Sequence, residues 1–414
     1  MNIRNILEKR WAIPLLIFAV GLGITLHYAL STNYLAYCDS VNAVKIYDVY
    51  RESWEWYPIG NLVLQSSSLT TIYFPALIQH ITQFPPELLL KLYIAIISAF
   101  IPVIIYLISK KFVSAKYAFM ASVFSMGWVT FLQAGSFDRS NIATLLYGLL
   151  ILLLLYWNWS WKIKIPIIIA VSVLLVLSHY VTVLITIFMF GFLLLAAVIR
   201  KRKSVVLPTA VCLCVLCIGF GLWYGIANKD VVDAIITHSP PIVVSSQPNS
   251  NLGISNNVVT NSGGTQSSSG IYEALSLRDK ITQALFGIQS PDGDTQYQAN
   301  LFLLVAAWLT IMITLYGIWH ICRNKQWQLE EYAILFAGLL IIIVTVAVPT
   351  VSRIYGIERV YALNLMMLAP CYVIGGKKLS EKIHINPVLV LSILTLLYGI
   401  LMYKYGVIHS LIGI

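Results

Sequence analysis

The chain has 414 residues, 59% of them hydrophobic and 11% charged, with a formal net charge of +10; a soluble domain carries roughly a quarter of its residues charged. Apolar runs of about 18 to 23 residues recur along it, long enough to cross a hydrocarbon layer, which excludes water as its main solvent. The positive charge gathers at the ends of these runs, at Lys110-Lys111, Arg200-Lys201-Arg202-Lys203 and Lys377-Lys378, a pattern that orients helices in a membrane and argues against a nucleic-acid partner.

Taken in order, Arg4, Lys9 and Arg10 precede an apolar stretch from Trp11 that reads as an uncleaved first helix. The expected spans are 11–31, 88–109, 113–134, 141–158, 165–178, 181–199, 205–227, 298–321, 331–350, 359–376 and 385–403. That is an all-α polytopic protein of about eleven transmembrane helices in one transmembrane domain, 1–414. With the N-terminus inside, 17 of the 27 Lys and Arg fall on short inner loops and 13 of the 17 acids fall outside. The two counts agree, so the N-terminus is expected to be cytoplasmic and the C-terminus outside.

Two outer segments are too long for simple turns. The first, 32–87, holds Asp39, Asp48, Arg51, Glu52, Glu55 and a dense aromatic set; it is expected to fold, with short interfacial helices at Ile46–Trp56 and 69–83. The second, 228–297, is rich in Ser, Asn, Gly and Gln over 239–270, which predicts a flexible stretch, followed by an amphipathic surface helix from Ile271 to Phe286. Cys212, Cys214 and Cys217 spread around a hydrophobic helix without a His or an acid beside them, and read as packing residues rather than a metal site.

Charged groups at membrane depth are costly, so those at the mouths of spans are the functional candidates. Asp39, in Tyr37-Cys38-Asp39-Ser40, lies just beyond the first span. Its carboxylate could act as a general base or ligate a divalent cation, and a solvated loop aspartate is the plainer alternative. Arg139, in Ser136-Phe137-Asp138-Arg139-Ser140-Asn141, can offer a planar fork to a phosphate, or Asp138 can pair with it or cap the next helix. His179, in Ser178-His179-Tyr180, has two or three residues in which to reverse the chain; it is either a phosphate or proton-transfer group or a hydrogen-bonded packing histidine. Arg353 and Arg359 bracket another short turn, and could complete an anion site or snorkel to lipid head groups. All four clusters fall on the face opposite the cytoplasm. One carboxylate with several cations there suits a substrate whose phosphate stays at the interface while its lipid tail lies between helices.

The order of these features resembles the membrane-embedded C-type glycosyltransferase superfamily, and particularly a group of mainly archaeal multi-pass membrane proteins. The residues that carry it are Phe74-Pro75-Ala76-Leu77, Asp138-Arg139-Ser140-Asn141-Ile142-Ala143, Leu177-Ser178-His179-Tyr180 and Ser352-Arg353-Ile354-Tyr355. The resemblance implies a polyprenyl-phosphate-linked sugar donor, inversion at the sugar, and a glycan, lipid or protein acceptor. By position Asp39 matches the first-loop acid, and Arg139, His179 and Arg353 match the polar outer turns. Many relatives carry a second first-loop acid; here Asn42 stands where it would be. A lipid-glycan flippase or an export-assembly subunit is the alternative reading.

Overall fold

The computed structural model describes residues 11–31, 67–132, 138–229, 294–348 and 357–402. Among them the chain forms helices and no strand. The helices are α1 Ala12–Ser31, α2 Tyr73–Thr82, α3 Pro86–Ser109, α4 Ala115–Met126, α5 Val129–Leu132, α6 Asp138–Ile151, α7 Trp161–Val176, α8 Tyr180–Ile199, α9 Lys203–Phe220, α10 Asp294–Arg323, α11 Leu329–Ala347, α12 Ile357–Lys382 and α13 Pro387–Met402. Helices α6 and α9 each widen into a π-helix, at Leu152–Tyr156 and Gly221–Ala227. Eight of these helices are long and apolar enough to cross a membrane, and the chain is a multi-pass membrane protein.

The three other expected spans are helical but shorter. Helices α7 and α13 have 16 residues each, which at 1.5 Å per residue gives about 24 Å. The described part of the 113–134 segment, up to Leu132, forms α4 and α5, interrupted at Gly127-Trp128. Gly127 sits against the backbone of α13: a Cβ built on it would lie 3.1 Å from Gly399 Cα. The segment expected at 69–83 contains α2, whose ten residues span about 15 Å and cannot cross a hydrocarbon layer. Pro75, Ala76 and Gln79 face inward, while Ile81 is 81% exposed, as a helix lying in an interface requires. The helices expected at Ile46–Trp56 and Ile271–Phe286, and the 239–270 stretch, lie outside the described residues.

Helix α12 is the centre of the bundle. It is buried over 94% of its span, against 28% for α1 and α9 at the periphery, and it packs on α10, α11, α13, α4, α3 and α6. Its contact with α10 is backbone on backbone. A Cβ built on Gly317 would lie 1.9 Å from the Cys371 carbonyl oxygen, and one on Gly375 would lie 1.9 Å from that of Ile313. Lipid gives helices little hydrophobic reason to associate, so such close approach through small residues, with its dispersion contacts, is what binds them.

The two ends of the bundle differ in chemistry. At one end α8 runs into Arg200 and Arg202, which meet Glu330 at the start of α11. The Glu330 carboxylate is fully buried, with Arg200 Nη1 at 2.9 Å from Oε2 and Arg202 Nη1 at 3.7 Å from Oε1. Gln328 Oε1 accepts from Arg202 Nη1 at 2.5 Å, and the Gln328 N–H donates to Glu331 Oε2 at 2.7 Å, one half of a capping box that starts α11. Lys110, Lys111, Lys116, Lys377 and Lys378 belong to this same end. The opposite end carries the starts of α6, α8 and α12, and with them Arg139, His179 and Arg359.

Candidate functional site

Buried polar side chains concentrate at this second end: Ser67, Ser68, Thr70 and Thr71 before α2, Thr130 in α5, Arg139, Ser140 and Asn141 in α6, and Ser178, His179 and Thr182 at the start of α8. Burying so many polar groups is unfavourable unless they are hydrogen-bonded, and bonds both near and far along the chain satisfy several of them. Asn141 Nδ2 donates to the Thr130 carbonyl oxygen at 3.1 Å, which ties the first turn of α6 to α5. His179 is the N-cap of α8. Its Nδ1 accepts the Thr182 N–H at 3.3 Å and lies 3.1 Å from Thr182 Oγ1. Because Nδ1 accepts a backbone N–H, the proton of the neutral ring is on Nε2.

The structure brings Arg139, His179 and Arg359 together. His179 is 2% exposed and Arg139 7% exposed. Burial holds the His179 imidazole well below the usual histidine range, and the positive charges of Arg139 and Arg359 push it further in the same direction. Among the described residues, a buried neutral ring beside two guanidinium groups gathers positive charge, which favours an anion. Asp39 and Arg353 lie outside the described residues. Among those residues no group of three or more His, Cys, Asp or Glu side chains could hold a metal ion.

Two parts of this end were not singled out from sequence. The segment 67–71 runs as a buried strap across the end of α7. Thr70 N–H donates to the Leu177 carbonyl oxygen at 3.4 Å, Thr70 Oγ1 donates to Ser178 Oγ at 2.9 Å, and Ser68 Oγ donates to the Ser178 carbonyl oxygen. The second part is the π-helix that ends α9. Its wider turn delivers Trp223 Nε1 to the Ser67 carbonyl oxygen at 3.0 Å and the Tyr224 hydroxyl to the Val176 carbonyl oxygen at 2.6 Å, and π-turns within helices are frequent at functional sites. The sequence signal for the strap was a run of hydroxyl residues, Ser66-Ser67-Ser68-Leu69-Thr70-Thr71, next to an otherwise apolar segment.

No protein-family model matches the chain, and no curated protein matches it. Among solved structures it is similar to the crystal structure of ArnT from Cupriavidus metallidurans bound to undecaprenyl phosphate, with 12% sequence identity, 98% of this chain and 78% of that chain covered, and a TM-score of 0.55. Nearly the whole chain therefore shares the membrane fold of ArnT.

Proposed function

We propose that the chain is a glycosyltransferase that uses a polyprenyl-phosphate-linked sugar donor at the outer membrane face. The observation that carries this reading is the grouping of buried Arg139 and His179 with half-buried Arg359 at one end of the bundle. The fold likeness to a protein crystallised with undecaprenyl phosphate, itself a polyprenyl phosphate, supports the choice of ligand. Such a ligand has an anionic head for the guanidinium groups and a chain that stays in the lipid.

In this reading Asp39 takes the proton from an acceptor hydroxyl. The resulting oxygen attacks the anomeric carbon with inversion while the bond from that carbon to the lipid phosphate breaks. The departing phosphate gains charge as it leaves, and in this reading Arg139, Arg353 and Arg359 stabilise it. The orientation follows the charge count, with the lysine-rich end in the cytoplasm and the arginine–histidine end outside. The acceptor is a glycan, a lipid or a protein. A divalent cation, if one is used, would meet Asp39 first.

The test is transfer from a polyprenyl-phosphate sugar bearing a labelled hexose or pentose, by purified protein in nanodiscs, with undecaprenyl phosphate binding measured alongside. Arg139→Ala should weaken binding and transfer together, whereas Asp39→Asn should abolish transfer and leave binding intact. Binding without transfer in the wild-type protein would favour the flippase or export-subunit reading. No binding at all would remove the lipid-phosphate substrate.

A further inference from the structure

We infer that Ser68, Thr70 and Ser178 are positioning residues for the anion site, a hydroxyl cluster through which the 67–71 strap sets the backbone and ring of His179; the inference rests on the lipid-phosphate reading given above. Its basis is where the hydrogen bonds fall. The Ser178 carbonyl and the His179 N–H belong to one peptide unit. Ser68 Oγ donates to that carbonyl, and the N–H donates to the Leu175 carbonyl oxygen at 3.4 Å. With both sides of the peptide plane engaged, its rotation is blocked and the φ of His179 is held at −158°. The ring is held in turn by Thr182. Ser178 Oγ joins the two systems, accepting from Thr70 Oγ1 at 2.9 Å and donating to the Leu174 carbonyl oxygen at 2.6 Å.

The strap is itself anchored on two further helices. Tyr93 of α3 donates to the Thr70 carbonyl oxygen at 2.7 Å, and Trp223 of α9 donates to the Ser67 carbonyl oxygen at 3.0 Å. A connection between α7 and α8 needs none of this; the unpaired carbonyls at the end of α7 could be left to water. The chain instead buries Ser67, Ser68, Thr70 and Thr71 almost completely. This strap directly follows the 32–66 segment that carries Asp39. The cluster thus links the C-terminal root of the segment bearing the proposed base to the imidazole beside Arg139 and Arg359.

The experiment compares wild-type protein with Thr70→Val, Thr70→Ser, Ser178→Ala and Ser98→Ala, the last removing a buried hydroxyl that makes no hydrogen bond. Two readouts are taken in detergent micelles: the Kd for undecaprenyl phosphate, and the 15N resonances of His179 assigned with His179→Gln. Thr70→Val and Ser178→Ala should each weaken binding about tenfold, the scale of one lost positioning hydrogen bond. Both should move His179 away from a single Nε2–H tautomer. Thr70→Ser should restore both readouts, and Ser98→Ala should change neither. A Thr70→Val protein that melts earlier but keeps the wild-type Kd and the wild-type His179 resonances would overturn the inference and leave the cluster as a helix stop. If wild-type protein does not bind undecaprenyl phosphate while the His179 resonances respond as expected, the lipid-phosphate reading fails and the positioning role stands.

Discussion

Replacing Gly317 by Ala tests the packing on which the bundle is built. The added methyl would sit 1.9 Å from the Cys371 carbonyl oxygen, whereas ordinary van der Waals contact begins at 3.4 Å. Helices α10 and α12 would have to separate by the difference, about 1.5 Å, and no side chain can rotate away because the obstacle is backbone. Overpacking costs typically 1–3 kcal/mol, and the absence of a rotamer escape puts this case near about 3 kcal/mol. In dodecyl maltoside the apparent Tm should fall by roughly 5 °C. Gly191→Ala is the matched control, since a Cβ there meets nothing within 4 Å, and its gain in helix propensity, up to about 1 kcal/mol, should leave Tm unchanged or raised. The double variant Gly317→Ala/Gly375→Ala should fall short of the sum of the singles, because one separation of the helices relieves both contacts. If Gly317→Ala and Gly191→Ala melt within about 1 °C of each other, the close-crossing argument is refuted.

At the lysine-rich end, the double variant Arg200→Ala/Arg202→Ala should be costlier than Glu330→Gln. The first leaves a fully buried carboxylate without its cations, a loss of about 3 kcal/mol. The second leaves two arginines that are 42% and 33% exposed, which water can serve, at about 1 kcal/mol; equal losses in detergent unfolding titrations would contradict this. His179 predicts a pH effect with a definite sign. Its folded-state basicity is lowered, so below about pH 6.5 the unfolded chain binds a proton that the folded one does not, and stability falls by up to about 1.4 kcal/mol per pH unit of acidification. Melting between pH 7.5 and 5 should show this slope in wild-type protein and lose most of it in His179→Gln. Tyr224→Phe should cost about 1 kcal/mol by leaving the Val176 carbonyl oxygen without its donor, read as an earlier melt with an unchanged helical circular dichroism spectrum.

The membrane helices were legible because their signal is local: an apolar run of sufficient length needs no partner to be recognised. The interruption between α4 and α5 at Gly127 was not, because it falls where the chain meets Gly399, far along the sequence. The same distinction divides the site. Arg139, His179 and Arg359 stood out as polar residues in very short turns between apolar runs, and a bundle that brings those turns to one end also brings the residues together. The strap looked like a polar loop because its partner, Ser178, is 108 residues from Thr70. Nor could the sequence tell that the Nδ1 of His179 would start a helix, since a histidine in a tight turn has several uses. Asp39 and Arg353 were read by the same rules, and their parts in the site belong to the proposal.

One consequence follows from His179 being both helix cap and site residue. With the ring proton on Nε2, a second proton must enter at Nδ1, the atom that receives the Thr182 N–H. Taking it up would push that N–H away and strip the first turn of α8 of its side-chain cap. The imidazole therefore cannot serve as a freely rocking acid and base during turnover without loosening the helix it begins. Its chemistry and the register of α8 form a single latch, which suits a fixed donor better than a shuttle.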